Sequence, residues 1–193
     1  MPAMLRKILI VSIVGAVAAC AALPQAQLQP ATTAAAPIEA TKSTYIDKSL
    51  NLDSLIVGGQ IQAIDVEALK GAGVTRVINL RTPEEMQTLG FDEGAALNAG
   101  GLSYRQLPLG GPDFPYSPEL LDAFAAEMAA ADGKIVLHCA SGGRAGMVYA
   151  AWLVKYQGKT PQQAMRSLES LGGWPLPMEK LLARPLVVDF AQP

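Results

Sequence analysis

Histidine and cysteine are scarce in this sequence, which has one histidine, His138, and two cysteines, Cys20 and Cys139, among 193 residues. A single histidine excludes a metal site built from several histidines. It also disfavours a Cys–His base pair, because His138 directly precedes Cys139 and neighbouring side chains on a strand point to opposite faces. The sequence therefore indicates no metal and no cofactor.

Excess positive charge is also absent. There are 15 Lys and Arg residues against 17 Asp and Glu, a net charge of −2 at pH 7, and the basic residues form no stripe. Nucleic-acid-binding domains need a basic surface to meet the phosphate backbone. The composition therefore argues against nucleic acid as a partner.

No apolar run is long enough to span a membrane. The longest one, Ile8–Ala19, follows Arg6 and Lys7 and is shorter than the ~20 residues of a spanning helix. A basic start, a short apolar run and small residues before position 20 are typical of a secretory signal peptide, here residues 1–19. We expect the protein to be exported.

The end of this signal resembles a bacterial lipobox, with Val17, Ala18 and Ala19 before Cys20 and Ala21 after it. The resemblance implies that Cys20 becomes the lipidated N-terminus of an outer-membrane lipoprotein on the periplasmic side of the envelope. An ordinary cleaved signal with an incidental cysteine is the alternative. If Cys20 is lipidated, Cys139 has no partner for a disulfide, and a lone thiol in an exported protein is more often reactive than structural.

Residues 20–44 have a polar, proline-containing composition with little charge and no periodicity, which predicts a disordered tether. Residues 45–193 have the length of one domain. Short apolar segments alternate there with capped helical segments, such as the one opened by Ser117 and Pro118. This alternation predicts a single α/β domain with a central, mostly parallel sheet flanked by helices.

The stretch from Lys134 to Gly146, KIVLHCASGGRAG, is the most informative one. Its apolar start predicts a buried strand, and the apolar run Met147–Val154 predicts a helix, so a glycine-containing turn from Cys139 to Arg144 joins the two. Unpaired amides and the dipole at a helix start favour an anion, and Arg144 adds a planar cation suited to an oxyanion. The turn is predicted to bind an anion and to hold a nucleophilic thiol. A buried structural cysteine beside a helix cap is the alternative.

This turn resembles the signature loop of the cysteine-dependent phosphatases, the protein-tyrosine and dual-specificity group. That signature has five residues between Cys and Arg, whereas four separate Cys139 from Arg144. Four is the spacing of many rhodanese-type sulfurtransferase loops, and also of the bacterial phosphatase-like domain named after beta-lactamase-hydrolase-like proteins. The segment SLIVGGQIQAIDVEALKGAGVTRVINLRTPEE resembles the opening of that domain, and the likeness extends over most of the region from Leu55 to Gly172.

The resemblance implies a cysteine-phosphatase-like fold and assigns roles to particular residues. Cys139 is the expected nucleophile, Arg144 the catalytic cation, and His138 a structural support that fixes the loop by hydrogen bonds. The expected phosphate-binding groups are the loop amides and the guanidinium, namely those of Ala140, Ser141, Gly142, Gly143, Arg144 and Ala145.

The leaving oxygen of a phosphate ester needs an acid. Asp113, in the glycine- and proline-rich loop before the helix opened by Ser117, is the first candidate, and Asp92 is the second. Arg81, at the end of a predicted strand, is expected either at the rim of the same site or paired with Glu84 or Glu85. Asp113 as a simple turn residue is the alternative.

Three functions remain open at the level of sequence. They are a phosphatase acting on a phosphorylated small molecule or protein, a sulfurtransferase that uses a Cys139 persulfide, and a module that binds phosphate esters without turnover. The short loop and the absence of a hydroxyl at Ala145 favour sulfur transfer, and the length-wide resemblance favours the phosphatase. The N-terminal lipid is the only membrane contact expected, and the sequence leaves the oligomeric state open.

Overall fold

Short strands form a six-stranded sheet in the computed structural model, which describes residues 40–46, 48–52, 54–166, 168, 171 and 175–186. In spatial order the strands run β1-β2-β3-β6-β4-β5. β2 pairs antiparallel with β1 on one side and with β3 on the other. The neighbours β3, β6, β4 and β5 pair in parallel. Their bounds are β1 Thr41–Lys42, β2 Leu50–Asn51, β3 Leu55–Gly58, β4 Val74–Asn79, β5 Ser103–Gln106 and β6 Lys134–His138.

Seven α-helices are described along the chain, together with a 3-10 turn at Ala63–Asp65 before the first of them. The α-helices are α1 Val66–Gly71, α2 Pro83–Gln87, α3 Glu93–Ala99, α4 Pro118–Ala129, α5 Gly143–Tyr156, α6 Pro161–Arg166 and α7 Pro175–Leu182. Side-chain caps begin four of them, with Thr82, Asp92, Ser117 and Thr160 accepting bonds from backbone amides of α2, α3, α4 and α6. No helix in the described part of the chain is long and apolar enough to cross a membrane.

The sheet separates two apolar layers because successive strand residues point to opposite faces. Val57, Ile78 and Leu137 face the layer formed with α4, α5, α6 and α7. Their neighbours Ile56, Val77 and Val136 face the layer formed with α1 and α3. All of the described residues belong to one compact unit, Ala35–Pro193. The predicted α/β class, a single domain with a mostly parallel sheet flanked by helices, is confirmed.

The structure differs from the sequence prediction at the N-terminal end of the domain. The sheet starts before residue 45, because Thr41 and Lys42 pair with β2 and the Ser43 side chain is buried. Strands of two residues are too short to show a period-2 pattern, so the sequence gives no signal for them. The predicted signal peptide 1–19, Cys20 and the part of the predicted tether up to residue 39 lie outside the described residues.

Two helices also differ from the prediction. The helix after the signature loop begins at Gly143, so Arg144 lies in its first turn rather than in the connecting turn. α7 has no counterpart in the sequence prediction, and the helix expected from Pro161 to the Gly172–Gly173 pair is described only as far as Arg166.

The parallel strands place three chain segments at one edge of the sheet. Gly58, His138 and Asn79 lie side by side in register at the carboxyl ends of β3, β6 and β4. The loops that follow these strands, together with the loop after β5, therefore meet at the same edge.

Candidate active site

The signature loop forms a tight turn around the sulfur of Cys139. The backbone amide of Gly142 donates to Cys139 Sγ at 3.2 Å. Gly142 has φ +91°, in the left-handed region, and caps the start of α5. A Cβ at Gly142 would lie 3.3 Å from the Lys48 carbonyl oxygen and 3.3 Å from Leu171 Cδ2, so the turn has no room for a larger residue.

The end of β3 holds the other side of this loop. The amide of Cys139 donates to the Gly58 carbonyl at 3.2 Å, and the amide of Gln60 donates to the Ala140 carbonyl at 3.3 Å. A bridge between Gly59 and Ser141 extends the pairing. Ala140 and Ser141 are exposed at the mouth of the turn, whereas Cys139 is only 1% exposed at its base.

The first turn of α5 provides hydrogen-bond donors and a positive helix end that can bind an anion. The amides of Gly143, Arg144 and Ala145 lie at the N-terminus of a 14-residue helix, where backbone donors have no partner within the helix and the dipole is positive. The structure therefore brings together the predicted nucleophile, the predicted arginine and the predicted anion-binding turn. Ala145 is fully buried beneath them.

Glu85 fixes the guanidinium of Arg144. Nη1 and Nη2 donate to Glu85 Oε2 and Oε1 at 2.8 and 2.6 Å, and Nη1 also donates to the Leu109 carbonyl at 2.6 Å. The hydrogen bonds to Arg144 lower the pKa of Glu85 to about 2, and the same bonds raise the pKa of Arg144 above its ordinary value. The bonds to Glu85 and Leu109 take three of the five N–H groups of Arg144, which leaves Nε–H and one Nη2–H to interact with Cys139 and with a ligand.

The contact between Glu85 and Arg144 was not predicted from the sequence, although the sequence around Glu85 contains one signal for it. Thr82 and Glu85 form a capping box, in which the Thr82 amide donates to Glu85 Oε2 at 2.8 Å and the Glu85 amide donates to Thr82 Oγ1 at 3.3 Å. The pattern Thr-x-x-Glu directly after a strand that neighbours β6 places a carboxylate at the edge that carries the signature loop. Only the fold shows that this carboxylate meets Arg144.

Arg81 contacts Glu85 and does not line the cavity beside Arg144. Its side chain is buried, and its guanidinium donates to Gln60 Oε1 at 2.6 Å and to the Glu85 carbonyl at 3.0 Å. Its Nε lies 4.0 Å from Glu85 Oε1. Of the two expectations for Arg81, the structure supports pairing with Glu85.

His138 is fully buried and bonds to Glu93, with 2.9 Å between Nε2 and Oε1. Asn79 Nδ2 donates to the same carboxylate at 3.0 Å, and Gln60 donates to its other oxygen. The Nδ1 atom has no hydrogen-bond partner among the described residues. This contact is compatible with a structural role for His138. The side chain of His138, however, bonds to Glu93 at the start of α3 and not to the signature loop.

A cavity of about 510 Å³ opens above Arg144. Asp113 is exposed at the tip of a tight turn in which Gly110 and Phe114 pair, the Gly110 amide donating to the Phe114 carbonyl at 2.7 Å. The cavity is formed by the start of α2, this turn and Arg144; its lining residues are Thr82, Glu84, Glu85, Gly110, Gly111, Pro112, Asp113, Phe114 and Arg144.

Asp92, the second candidate acid, lies elsewhere. Its carboxylate caps α3 by accepting from the Ala95 amide at 2.9 Å, and it lines a different cavity on the other side of α2. In the described part of the chain, no group of three or more His, Cys, Asp or Glu side chains could hold a metal ion.

Comparison with known sequences gives one family. The profile of the family described as "Beta-lactamase hydrolase-like protein, phosphatase-like domain" matches residues 47–154. The chain is also 31% identical over 99 residues to the Beta-lactamase hydrolase-like protein of Agrobacterium fabrum, an alignment that covers 50% of this chain and 22% of that protein. The match therefore spans less than a quarter of the relative's length.

Comparison with solved structures shows the fold. TpbA of P. aeruginosa, in complex with pTyr, is 19% identical with a TM-score of 0.59 over 78% of this chain and 90% of that chain. PTPMT1 in complex with PI(5)P is 18% identical with a TM-score of 0.56 over 67% and 88% of the two chains. At this level of identity the likeness shows a shared phosphatase-like fold.

Proposed function

Because this chain belongs to the phosphatase-like domain family of the beta-lactamase hydrolase-like proteins, we propose that it hydrolyses phosphate monoesters with Cys139 as the nucleophile. One observation carries the proposal. The Cys139 sulfur accepts a bond from the Gly142 amide at the start of α5, next to an arginine that Glu85 holds in a fixed orientation. This geometry stabilises an anionic sulfur and a phosphoryl group at the same place.

The first step transfers the phosphoryl group to sulfur. The S–P bond forms while the ester P–O bond breaks, and Asp113 gives its proton to the leaving oxygen. The free Nε–H and Nη2–H of Arg144, with the amides at the start of α5, bind the oxygens of the phosphoryl group during transfer.

The second step regenerates the enzyme. Asp113, now ionised, takes a proton from water as the water oxygen bonds to phosphorus, the S–P bond breaks and inorganic phosphate leaves. Ala145 is buried and offers no hydroxyl to the departing thiolate. We therefore expect this step to limit turnover.

Two observations favour sulfur transfer as a second candidate. Cys139 is 1% exposed and does not line the cavity above Arg144. The loop between Cys139 and Arg144 is one residue shorter than in the phosphatase signature. It therefore leaves less room for a tetrahedral phosphate group and fits a single sulfane sulfur better. In that reaction the Cys139 sulfur takes the outer sulfur of thiosulfate, sulfite leaves, and cyanide accepts the sulfur as thiocyanate. A module that binds phosphate esters without turnover remains the third candidate.

The test compares Asp113→Asn with the wild-type protein on two classes of ester. Asp113→Asn should slow esters with poor leaving groups by about 10²–10⁴, because these need a proton. p-Nitrophenyl phosphate, with a good leaving group, should lose much less. Asp132→Asn is a matched control, since Asp132 is exposed in the turn before β6, at the opposite end of that strand.

The competing candidates give different results in the same experiment. A small and equal loss for both ester classes, with thiocyanate still formed from thiosulfate and cyanide, would replace the phosphatase with a sulfurtransferase. If the protein binds vanadate but shows neither phosphatase nor sulfurtransferase activity, the result would support the third candidate, a module that binds phosphate esters without turnover. The substrate is a phosphorylated protein or small molecule, and the pTyr and PI(5)P complexes of the structural neighbours supply two kinds of carrier to compare.

We also propose that the mature protein is an outer-membrane lipoprotein carrying its lipid on Cys20, as the sequence around that cysteine suggests. Mass spectrometry of protein extracted from membranes should find a lipidated N-terminal Cys20. Cys20→Ala should move the protein to the soluble fraction. An unmodified N-terminus at another residue would refute the proposal.

A further inference from the structure

The cavity above Arg144 carries an excess of negative charge. Arg144 is the only cation among its nine lining residues, which include the carboxylates Glu84, Glu85 and Asp113. Glu85 cancels the charge of Arg144 through its two hydrogen bonds. Glu84 is then left without a balancing cation in the wall of the cavity, and so is Asp113 before it takes up the proton that it gives to the leaving oxygen.

Of these two, Glu84 is not needed for the proposed chemistry or for the fold. Its side chain is exposed in the first turn of α2, and Glu85, not Glu84, closes the capping box with Thr82. Asp113 faces the same space from the turn between Gly110 and Phe114. A carrier that occupies this cavity next to Arg144 therefore has both Glu84 and Asp113 in the surrounding wall.

We propose that Glu84, together with Asp113, selects substrates by the charge of the carrier. The preferred substrate has one phosphate monoester on a neutral or cationic carrier, and carriers with further phosphates or carboxylates near the ester are disfavoured. This inference rests on the proposed phosphatase function and adds the substrate class. Its physical basis is that like charges a few ångströms apart repel even in water, whereas a cation on the carrier gains attraction.

A pair of phosphotyrosine peptides tests the inference, one with lysines and one with glutamates on both sides of the phosphotyrosine. We expect kcat/KM to be about tenfold or more higher for the lysine peptide at low salt. The ratio should shrink at 0.5 M salt, since the screening length falls from about 10 Å at 0.1 M to a few ångströms at 1 M. A wild-type ratio near one, or one that favours the glutamate peptide, overturns the inference.

The variant Glu84→Lys tests whether Glu84 causes the preference for the lysine peptide. The variant should bring the ratio to one or below, whereas Glu67→Lys should leave it unchanged. Glu67 is a matched control because it is also an exposed acid in the first turn of a helix, α1, and it does not line the cavity. A ratio that Glu84→Lys does not change overturns the assignment.

The inference and the proposed function can fail separately. If neither the peptides nor p-nitrophenyl phosphate is hydrolysed, the phosphatase proposal fails. The affinities of the two peptides for the Cys139→Ser variant then show whether the charge of the carrier matters. Tighter binding of the lysine peptide supports the inference. Equal affinities, or tighter binding of the glutamate peptide, overturn it.

Discussion

The carboxylate of Glu85 holds the guanidinium of Arg144 through two hydrogen bonds of 2.6 and 2.8 Å while it also closes the N-terminus of α2. A helix cap and the orientation of the signature arginine thus depend on one side chain. A bidentate pair fixes the plane of the guanidinium as well as its position. The pair and the Leu109 carbonyl together take three of the five N–H groups of Arg144, which leaves the two on the Nε side for Cys139 and a phosphoryl group.

Glu85→Gln should separate the two roles of this side chain. Glutamine can complete a capping box, so the free energy of unfolding should change little. Its single acceptor oxygen cannot take both guanidinium N–H groups, and a misplaced Arg144 should lower kcat/KM by about 10²-fold. Steady-state kinetics and urea unfolding measure both effects, with Glu67→Gln as the control. Unchanged kinetics in Glu85→Gln would show that Leu109 alone orients Arg144.

The same pair gives stability that depends on pH. The pKa of Glu85 falls from 4.5 to about 2, mainly because of its hydrogen bonds to Arg144. The stabilisation from a lowered carboxylate pKa is complete above pH 4.5 and is lost as the pH falls toward 2. Because the Glu85 side chain is 32% exposed, we expect a contribution of only about 1 kcal/mol. Urea unfolding at several pH values should show this loss in the wild type and not in Glu85→Gln.

Gly110→Ala should disturb Arg144 from the other side. Gly110 has φ +128°, and a Cβ there would lie 3.2 Å from Arg144 Nη1. We expect Gly110→Ala to lower stability and to reduce kcat/KM by at least about tenfold, since the guanidinium must move. Gly158→Ala is the matched control: its φ is +65° with no atom within 4 Å of the added Cβ, so it should show the backbone strain alone. Equal activity of the two variants would contradict the role assigned to the Gly110 contact.

Glu93→Ala and Asp92→Ala should differ strongly although the residues are adjacent. Glu93 is buried and accepts bonds from His138, Asn79 and Gln60, and each buried polar group left without its partner costs about 1–3 kcal/mol. Asp92 is an exposed helix cap, for which the loss is about 1 kcal/mol. Urea unfolding measures both values. A loss in Glu93→Ala no larger than in Asp92→Ala would mean that His138 finds another partner.

Local patterns in the sequence predict much of this fold. The β-branched runs give β3, β4 and β6, and Ser117 with Pro118 marks the start of α4 at the residue where the structure has it. The signature turn predicts that Cys139 and Arg144 lie together, because both belong to one short segment whose local geometry is set by Gly142. These features depend on residues that are neighbours in the chain.

The features that sequence reasoning missed depend on contacts between distant residues. Glu85 and Arg144 are separated by 59 positions, and Glu93 and His138 by 45. Each pairing follows from strand order, which places β6 between β3 and β4. The two-residue strands β1 and β2 are set by pairing, β2 with β3 and β1 with β2, and not by any pattern of their own.

The position of β6 in the sheet has a consequence for synthesis. Among the described residues β6 is the last strand along the chain, yet it lies between β3 and β4 and pairs with both. Until β6 has been made, β3 and β4 each expose an unpaired edge, which favours association with other chains. The nucleophile follows directly after this strand, so the chain acquires Cys139 and closes its sheet in the same late event. A nascent chain that stops before Lys134 would be both inactive and prone to aggregation.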